Sequence, residues 1–333
     1  MNLKQTLLLN KSQVGQLLNM KDTIAVVEDG YRAFSGGQVQ QPDYMSIHQD
    51  APRGEIDFKA GYCQGNESIS IKCSSGAFAE NPEKYGVPTG MGTILVFDGR
   101  TCALLCAMDG SLITGFRTGA AGAISCRLLA RKDAKSAASI GTGNQARNQL
   151  RALQLTHPVE EVWAWDAVPA AMEQFKADME GELGLTVHIA QSKQQAVENA
   201  DIVITTTRGK GPLVEAAWVR PGTHIVAIGT DQPGKQELEP EIFRGAKVVN
   251  DSIDQCVAKG ETQHPIAQGI LRREDIHAEI GQILLGQKAG RENDTEITIF
   301  DSTGMAVQDN VTARRVYDNA VEQGVGTWFS FLE

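Results

Sequence analysis

The sequence of 333 residues is poor in the features that mark several protein classes. Its six cysteines, Cys63, Cys73, Cys102, Cys106, Cys126 and Cys256, include no C-x-x-C pair. Its six histidines form no H-x-x-x-H or Cys/His cluster. These absences exclude a secreted disulfide framework and a zinc site, so no metal is expected, and the thiols read as reduced and mostly buried in a cytoplasmic chain. No stretch approaches the roughly 18 apolar residues that span a membrane. The first ten residues have too short an apolar core for a signal peptide, and polar Asn10, Lys11 and Ser12 follow without a small-residue cleavage site. Basic residues are in deficit, 31 Lys and Arg against 41 Asp and Glu, for a net charge of −10. With no basic stripe either, a nucleic-acid partner is excluded. Internal repeats and low-complexity tracts are missing.

What is present is ordinary globular material, 41% hydrophobic and 22% charged, in a length that suits two domains. Ile24, Val27, Tyr31 and Phe34 recur at helical spacing and predict a helix over 22–36, stopped by Gly36-Gly37. Residues 39–109 carry short strand-like runs at 56–58, 68–71, 93–97 and 103–108, separated by loops rich in Gly, Pro, Asn and Asp, and predict a mostly antiparallel sheet. Asp98-Gly99-Arg100 reads as a hairpin turn between the last two runs. From about residue 117 helix and strand alternate: an Ala-rich helix over 118–130, then strands at 162–165, 185–190, 201–206, 224–228, 246–250 and 296–300. That alternation predicts a parallel, doubly wound sheet. A last helix, about 305–323, returns the chain to its first domain. The expected division is 1–115 with 305–333, a smaller α+β substrate and dimerisation domain, and 116–304, a Rossmann-type nucleotide domain.

Residues 137–146 are the most informative stretch. A short apolar run enters Gly141-Thr142-Gly143, and Ala146 fills the third position of a G-x-G-x-x-G/A fingerprint ahead of a helix. Bare backbone at such a turn lets a pyrophosphate approach a helix N-terminus. A second apolar run ends at Asp166, about 20 residues on, where a carboxylate grips a ribose 2′-hydroxyl and repels a 2′-phosphate, so NAD is favoured over NADP. The alternative is an ordinary βα turn with a surface acid. Trp163 and Trp165 on that run read as core.

Ligands of open α/β sheets sit beyond the carboxyl ends of the strands. Two further ends stand out: Ile225 to Asp231, an apolar strand delivering a carboxylate, and Ile297 to Gly304, where Ser302 and Thr303 follow Asp301. Asp231 reads either as a catalytic acid or, with Pro233 close behind, as a helix cap. Arg117-Thr118 opening a small-residue helix suits an anion, or else Arg117 pairs with a surface acid. Lys72 shares a strand face with Ser70 and Ser74, opposite Ile69, Ile71 and Cys73, which leaves a solvated lysine as the plain reading. His264 reads as a loop or helix-start residue.

With these segments in order, the chain resembles the ornithine cyclodeaminase/mu-crystallin family over nearly its whole length. The resemblance is carried by Lys72 in Ser-Ile-Lys-Cys-Ser, by Gly86 to Thr89, by Asp109-Gly110 through Arg117 to Ala121, by Ile140 to Arg147, by Gly229 to Leu238, and by Phe300 to Gly304 running on to Asp309. It implies an NAD-dependent oxidoreductase acting at the carbon–nitrogen bond of a small amino or imino acid, or, alternatively, an ornithine cyclodeaminase with catalytic NAD, or a non-catalytic nucleotide-binding crystallin-like protein. It implies Lys72 as the lysine that handles substrate carboxylate and protons, and Asp231 as the acid/base carboxylate. Cofactor contacts implied are Thr89, Arg117, Thr118, Gly141, Thr142, Gly143, Asn144, Gln145, Ala146, Asp166, Thr206, Gly229, Ser302 and Thr303. It also implies a homodimer. One departure is plain: where many members carry an arginine after the proline of the Gln41-Pro42 segment, this chain has Asp43 and Tyr44, which leaves Tyr44 as the candidate substrate contact.

Overall fold

The structure is a computed structural model that describes residues 3–50 and 53–332. It forms two compact units, Met1–Arg117 with Met305–Glu333, and Thr118–Gly304. The chain begins with β1 (Gln5–Leu9), α1 (Lys11–Leu17), α2 (Met20–Ser35), β2 (Val39–Gln40), β3 (Met45–Asp50), β4 (Arg53–Cys63), β5 (Ser68–Gly76), α3 (Asn81–Tyr85), β6 (Gly92–Asp98), β7 (Leu104–Asp109) and α4 (Ser111–Leu129). It continues through β8 (Ser136–Ile140), α5 (Asn144–Thr156), β9 (Glu161–Trp165), α6 (Pro169–Leu183), β10 (Thr186–Ile189), α7 (Lys193–Glu198), β11 (Ile202–Thr205), β12 (Lys210–Val214), β13 (His224–Ala227), β14 (Gln236–Leu238), β15 (Lys247–Asn250), α8 (Ile253–Lys259), α9 (Gln263–Ala267), β16 (Ala278–Glu279), α10 (Ile280–Leu284) and β17 (Thr298–Asp301). It ends with α11 (Ala306–Gln323) and β18 (Thr327–Ser330).

In the first unit the described strands form a sheet in the order β18-β1-β7-β6-β5-β4-β2, with β3 also paired to β4. The β4, β5, β6 and β7 pairings are antiparallel, as the alternating runs of 39–109 predict, while β1 enters parallel to β7. The sequence reading assigned β1 to no element, because three leucines in a row give too little pattern to separate strand from helix. A core of Leu7, Leu9, Val14, Ile94, Val96 and Met108 from the first residues joins Ala313, Val316 and Tyr317 of α11. α11 lies close on its neighbours: a Cβ on Gly61 of β4 would stand 3.1 Å from the Ala306 Cβ, and one on Gly30 of α2 would stand 3.3 Å from Val311. Asp98 shapes the turn after β6, its Oδ1 accepting the N–H groups of Arg100 and Thr101 at 3.2 and 2.8 Å.

The second unit is the predicted doubly wound sheet, in the order β10-β9-β8-β11-β13-β17-β15-β16, parallel throughout. β8, β11, β13 and β17 are buried along their whole lengths, as strands covered on both faces must be. The runs read at 56–58 and 68–71 extend to the longer strands β4 and β5, and the start of α4 also differs from the sequence reading. α4 starts at Ser111, not near 118, because the Asp109 carboxylate accepts the Leu112 N–H at 3.1 Å and starts the helix two residues after its own strand ends. Among the described residues no helix is long and apolar enough to cross a membrane.

Candidate active site

In the second unit the strand order reverses between β8 and β11, the place where open α/β sheets leave a crevice. A pocket of about 440 Å³ opens there, walled by the turns that follow β8, β9 and β11. Gly141 has φ +99°, and a Cβ on it would meet the Thr206 carbonyl and hydroxyl oxygens at 3.1 Å. Gly143 caps α5 with no side-chain hydrogen bond and no acid in the first turn, so the amides of Asn144, Gln145 and Ala146 have no intrahelical acceptor and face the positive end of a helix dipole. Arg147 fixes the turn from behind, donating to Asp178 at 2.6 and 3.0 Å and to the carbonyls of Thr142 and Gly143. Asp166 lines the pocket; its Oδ2 accepts the Thr142 N–H and hydroxyl at 2.8 and 2.9 Å, and its Oδ1 accepts the Val168 N–H at 3.0 Å. Gln145 Oε1 and Thr206 Oγ1 are buried without a hydrogen-bond partner among the described residues. An open glycine cradle, an uncapped helix start, a carboxylate on the pocket wall and two orphaned polar atoms fit a dinucleotide.

Trp163 and Trp165 pack half-buried against the core of the sheet, as read from the sequence, and Trp165 in addition lines this pocket, with the Lys193 ammonium 5.5 Å from its ring centre. Only the strand's period-two pattern was visible in sequence, and it does not tell a core face from a pocket wall.

The other strand ends are held by buried carboxylates that drew no attention in the sequence. Glu237 accepts the N–H groups of Thr207 and Gly229 at 2.5 and 3.0 Å, and a Cβ on Gly229 would stand 2.3 Å from its oxygens. Glu261 accepts the N–H groups of Glu237 and Leu238 at 2.6 and 3.1 Å and the Thr230 hydroxyl. Burial pushes the Glu261 carboxyl up to about 8 and that of Asp301 up to about 7. Asp251 accepts the Ser302 hydroxyl and the Gly304 N–H, both at 2.8 Å, which fixes the turn carrying Ser302 and Thr303; Thr303 donates to Gln255 at 3.2 Å. Asp231 is 48% exposed and paired with Lys235 at 2.7 Å. Its capping alternative drops out, because the next element is β14 and not a helix. His264 lies in α9 against the Lys235 carbonyl.

In the first unit Lys72 is not solvated. The polar face of β5, Ser68, Ser70 and Lys72, is the buried one, because α11 covers it, while Ile69, Ile71 and Cys73 are only half-buried. The Lys72 ammonium meets Asp309 Oδ2 of α11 at 2.7 Å, both groups nearly inaccessible. Arg117 Nε donates to the other oxygen of Asp309 at 3.1 Å, and Arg117 Nη1 to Gln308 Oε1 at 3.3 Å. Burial pulls Lys72 down to about 7, with Asp309 resisting and Arg117 and Lys59 adding to the fall. Burial pushes the Asp309 carboxyl up, but the charges of Lys72, Arg117 and Lys59 outweigh it and leave it below its ordinary value. The pairing of Arg117 with a surface acid is overturned, since its acid is buried. Its reading as an anion site at a helix start is overturned too: Arg117 is the seventh residue of α4, past the turn whose amides are free. Thr118 follows it inside the same helix. Thr89 lies in the loop before β6, its carbonyl accepting the Phe78 N–H at 3.1 Å, and Tyr44 immediately precedes β3. Asp309 was quoted in the sequence motif without a role. Its signal was position alone, an acid in the first turn of a helix that follows a strand-end Ser-Thr-Gly.

The ornithine cyclodeaminase/mu-crystallin family model matches residues 4–324. An alanine dehydrogenase of Archaeoglobus fulgidus is 37% identical over 328 residues, 98% of this chain and 99% of the relative. A solved Delta(1)-pyrroline-2-carboxylate reductase of Thermococcus litoralis, in complex with NADH and L-proline, superposes with TM-score 0.92 at 36% identity, over 97% of this chain and 99% of that one. The iminosuccinate reductase of Paracoccus denitrificans, in complex with NAD+, superposes with TM-score 0.92 at 30% identity, over 98% and 100%. The chain therefore belongs to the ornithine cyclodeaminase/mu-crystallin family.

Proposed function

We propose that the chain is an NAD-dependent oxidoreductase acting at the carbon–nitrogen bond of a small amino or imino acid, with Lys72 and Asp231 as its proton-handling groups. The reaction class and the cofactor are those in the names of its relatives, an alanine dehydrogenase and two imino-acid reductases solved with NADH or NAD+. The observation that carries the reading here is the glycine turn at Gly141–Gly143, open to an uncapped helix and flanked by Asp166. Gly141 to Ala146 would hold the pyrophosphate and Asp166 the ribose diol, while Thr206, Gly229, Ser302 and Thr303 would hold the rest of the nucleotide together with Thr89 and Thr118. When bound, NAD supplies a hydride acceptor and its reduced form a hydride donor.

The chain's own residues do the acid–base and binding work. Lys72, poised near neutrality, grips the substrate carboxylate in its charged form and accepts a proton when neutral. Arg117, committed to Asp309, is reassigned from cofactor phosphate to this carboxylate site. Asp231, still half-exposed, exchanges the proton of the reacting nitrogen. Tyr44 stands as a neutral substrate contact. The first unit serves substrate binding and dimerisation, and the second holds the nucleotide. A homodimer is supported by the archaeal alanine dehydrogenase solved as a dimer. A cytoplasmic setting is supported by six free thiols.

The test follows NADH consumption with a panel of cyclic imines and of 2-oxo acids plus ammonia. Lys72→Ala and Asp231→Ala are expected to abolish turnover while NADH titration stays within about threefold of the parent, as for groups that act on substrate and not on cofactor. Loss of NADH binding in both variants would contradict the roles given.

A further inference from the structure

β8 and β9 run parallel with Ile140 opposite Trp165, and both strands end at that pair. The Gly141 N–H still donates to the Trp165 carbonyl at 2.8 Å, which carries Thr142 alongside Asp166. Thr142 then spends both of its donors on the acid. Its N–H and its hydroxyl reach the same oxygen, Oδ2, at 2.8 and 2.9 Å. The Val168 N–H adds a third donor, on Oδ1. Among the described residues, three of the roughly four lone-pair positions of the carboxylate are thus filled, and what is left lies on Oδ1. Thr142 is only 2% exposed, so water does not compete for its hydroxyl. If the acid turned away, that hydroxyl would be left buried without an acceptor, which is costly.

A cation shares the wall. Arg208, exposed on the turn after β11, lines the same pocket as Asp166. The lining therefore offers a nucleotide one anion and one cation. A ribose 2′-hydroxyl donates to the anion, whereas a 2′-phosphate is repelled by it and answered by the cation. Which dinucleotide fits depends on whether the acid keeps its place.

We propose that Thr142 is a positioning residue whose hydroxyl locks Asp166 against the pocket wall, and that this locked pair, and not the acid alone, sets the preference for NAD over NADP. Thr142 is thereby reassigned from a contact of the cofactor to a support of its discriminating acid. This deepens the NAD-dependent reading above and rests on it.

The experiment titrates the full chain with NADH and with NADPH, following the fluorescence of the reduced nicotinamide, so that no substrate is needed. The parent is expected to bind NADH about a hundredfold more tightly than NADPH, since a like charge opposes the 2′-phosphate. Thr142→Val keeps the shape and loses the hydroxyl, and should lower that ratio about tenfold, the worth of one hydrogen bond to a charged group. Thr142→Ser should stay within about threefold of the parent. Thr142→Ala, expected to act as the valine does, serves if the valine variant does not fold. In an Asp166→Ala background the same Thr142 change should move the ratio less than about twofold, because the hydroxyl has lost the group it acts through. A parent indifferent to the 2′-phosphate, an equal weakening of both dinucleotides without the hydroxyl, or a full tenfold fall in the absence of Asp166 overturns the proposal. A chain that keeps the Thr142-dependent ratio but turns over no imine would strike the oxidoreductase reading and leave the locked pair standing. Turnover with NADH and an unmoved ratio would do the reverse.

Discussion

Asp309 sets the charge of two cations from one carboxylate, one oxygen toward Lys72 and the other toward Arg117. Asp309→Asn removes the neighbour that holds the Lys72 ammonium up against burial, so the Lys72 pKa should fall further below about 7. On the proposed role, in which the charged form of Lys72 grips carboxylate, kcat/KM is expected to decline as pH rises through about 7 in the parent, and to begin declining at lower pH in the variant. An unmoved limb in the pH profile would remove Asp309 from this role. The variant should also lose about 3–5 kcal/mol of stability, because buried cations are left uncompensated. Sequence could not show this. The alternation around Lys72 was legible, but which face was buried was not, because the residue that buries it sits 237 positions later on α11, as 309 − 72 gives.

At the level of elements, the strands of the parallel sheet were readable because each is a short apolar run between loops, and the predicted strands at 162–165, 185–190 and 246–250 match β9, β10 and β15 to within a residue at either end. The start of α4 was not readable, since small residues favour helix on both sides of the true boundary and the capping acid, Asp109, also ends a strand. The glycines of the βα turn were readable as a pair, yet they do different things. Gly141 has φ +99° and close neighbours, whereas a Cβ on Gly143 would meet nothing within 4 Å. Gly141→Ala is therefore expected to lower Tm clearly through backbone strain. Gly143→Ala should leave Tm within about a degree and weaken NADH binding about tenfold, since only an approaching pyrophosphate would feel its methyl. Equal NADH affinity in Gly143→Ala and parent would dissociate this turn from the cofactor. The buried acids Glu237, Glu261 and Asp251 were invisible as such because an isolated acid in a short strand or loop looks like surface until the strand ends that need its oxygens are in place.

For the whole molecule, buried ionisable groups make stability depend on pH from both sides. His224 is buried between Ser125 and Thr298, and burial, reinforced by Arg291, pulls it down to about 3. The unfolded chain binds a proton there below its ordinary 6.5 while the folded chain does not until about 3, so stability is lost as pH falls from 6.5 toward 3, by a few kcal/mol in all. Glu261, raised to about 8, acts in the opposite sense: the folded chain keeps its proton where the unfolded chain has released it, and stability is lost as pH rises from 4.5 toward 8. Replacing His224 with Asn should destabilise the protein near neutrality by breaking the bridge that His224 makes between Ser125 and Thr298, and the Tm gap between parent and variant should narrow steadily from pH 7 to pH 4. A gap that stays constant over that range would mean that His224 does not titrate on unfolding.

The path of the chain has a consequence for its birth on the ribosome. Thr118–Gly304 is an uninterrupted stretch that emerges whole, with its hydrophobic core complete before the last elements are made. The other unit has no such freedom: Leu7 and Val14, made before the whole of Thr118–Gly304, pack with Val316 and Tyr317, made after it, and β1 pairs with β18. β1 and α1 must wait through the synthesis of the elements between, so the unit of the parallel sheet is the one that can fold first during translation and the lysine-bearing unit closes only once α11 and β18 have been made.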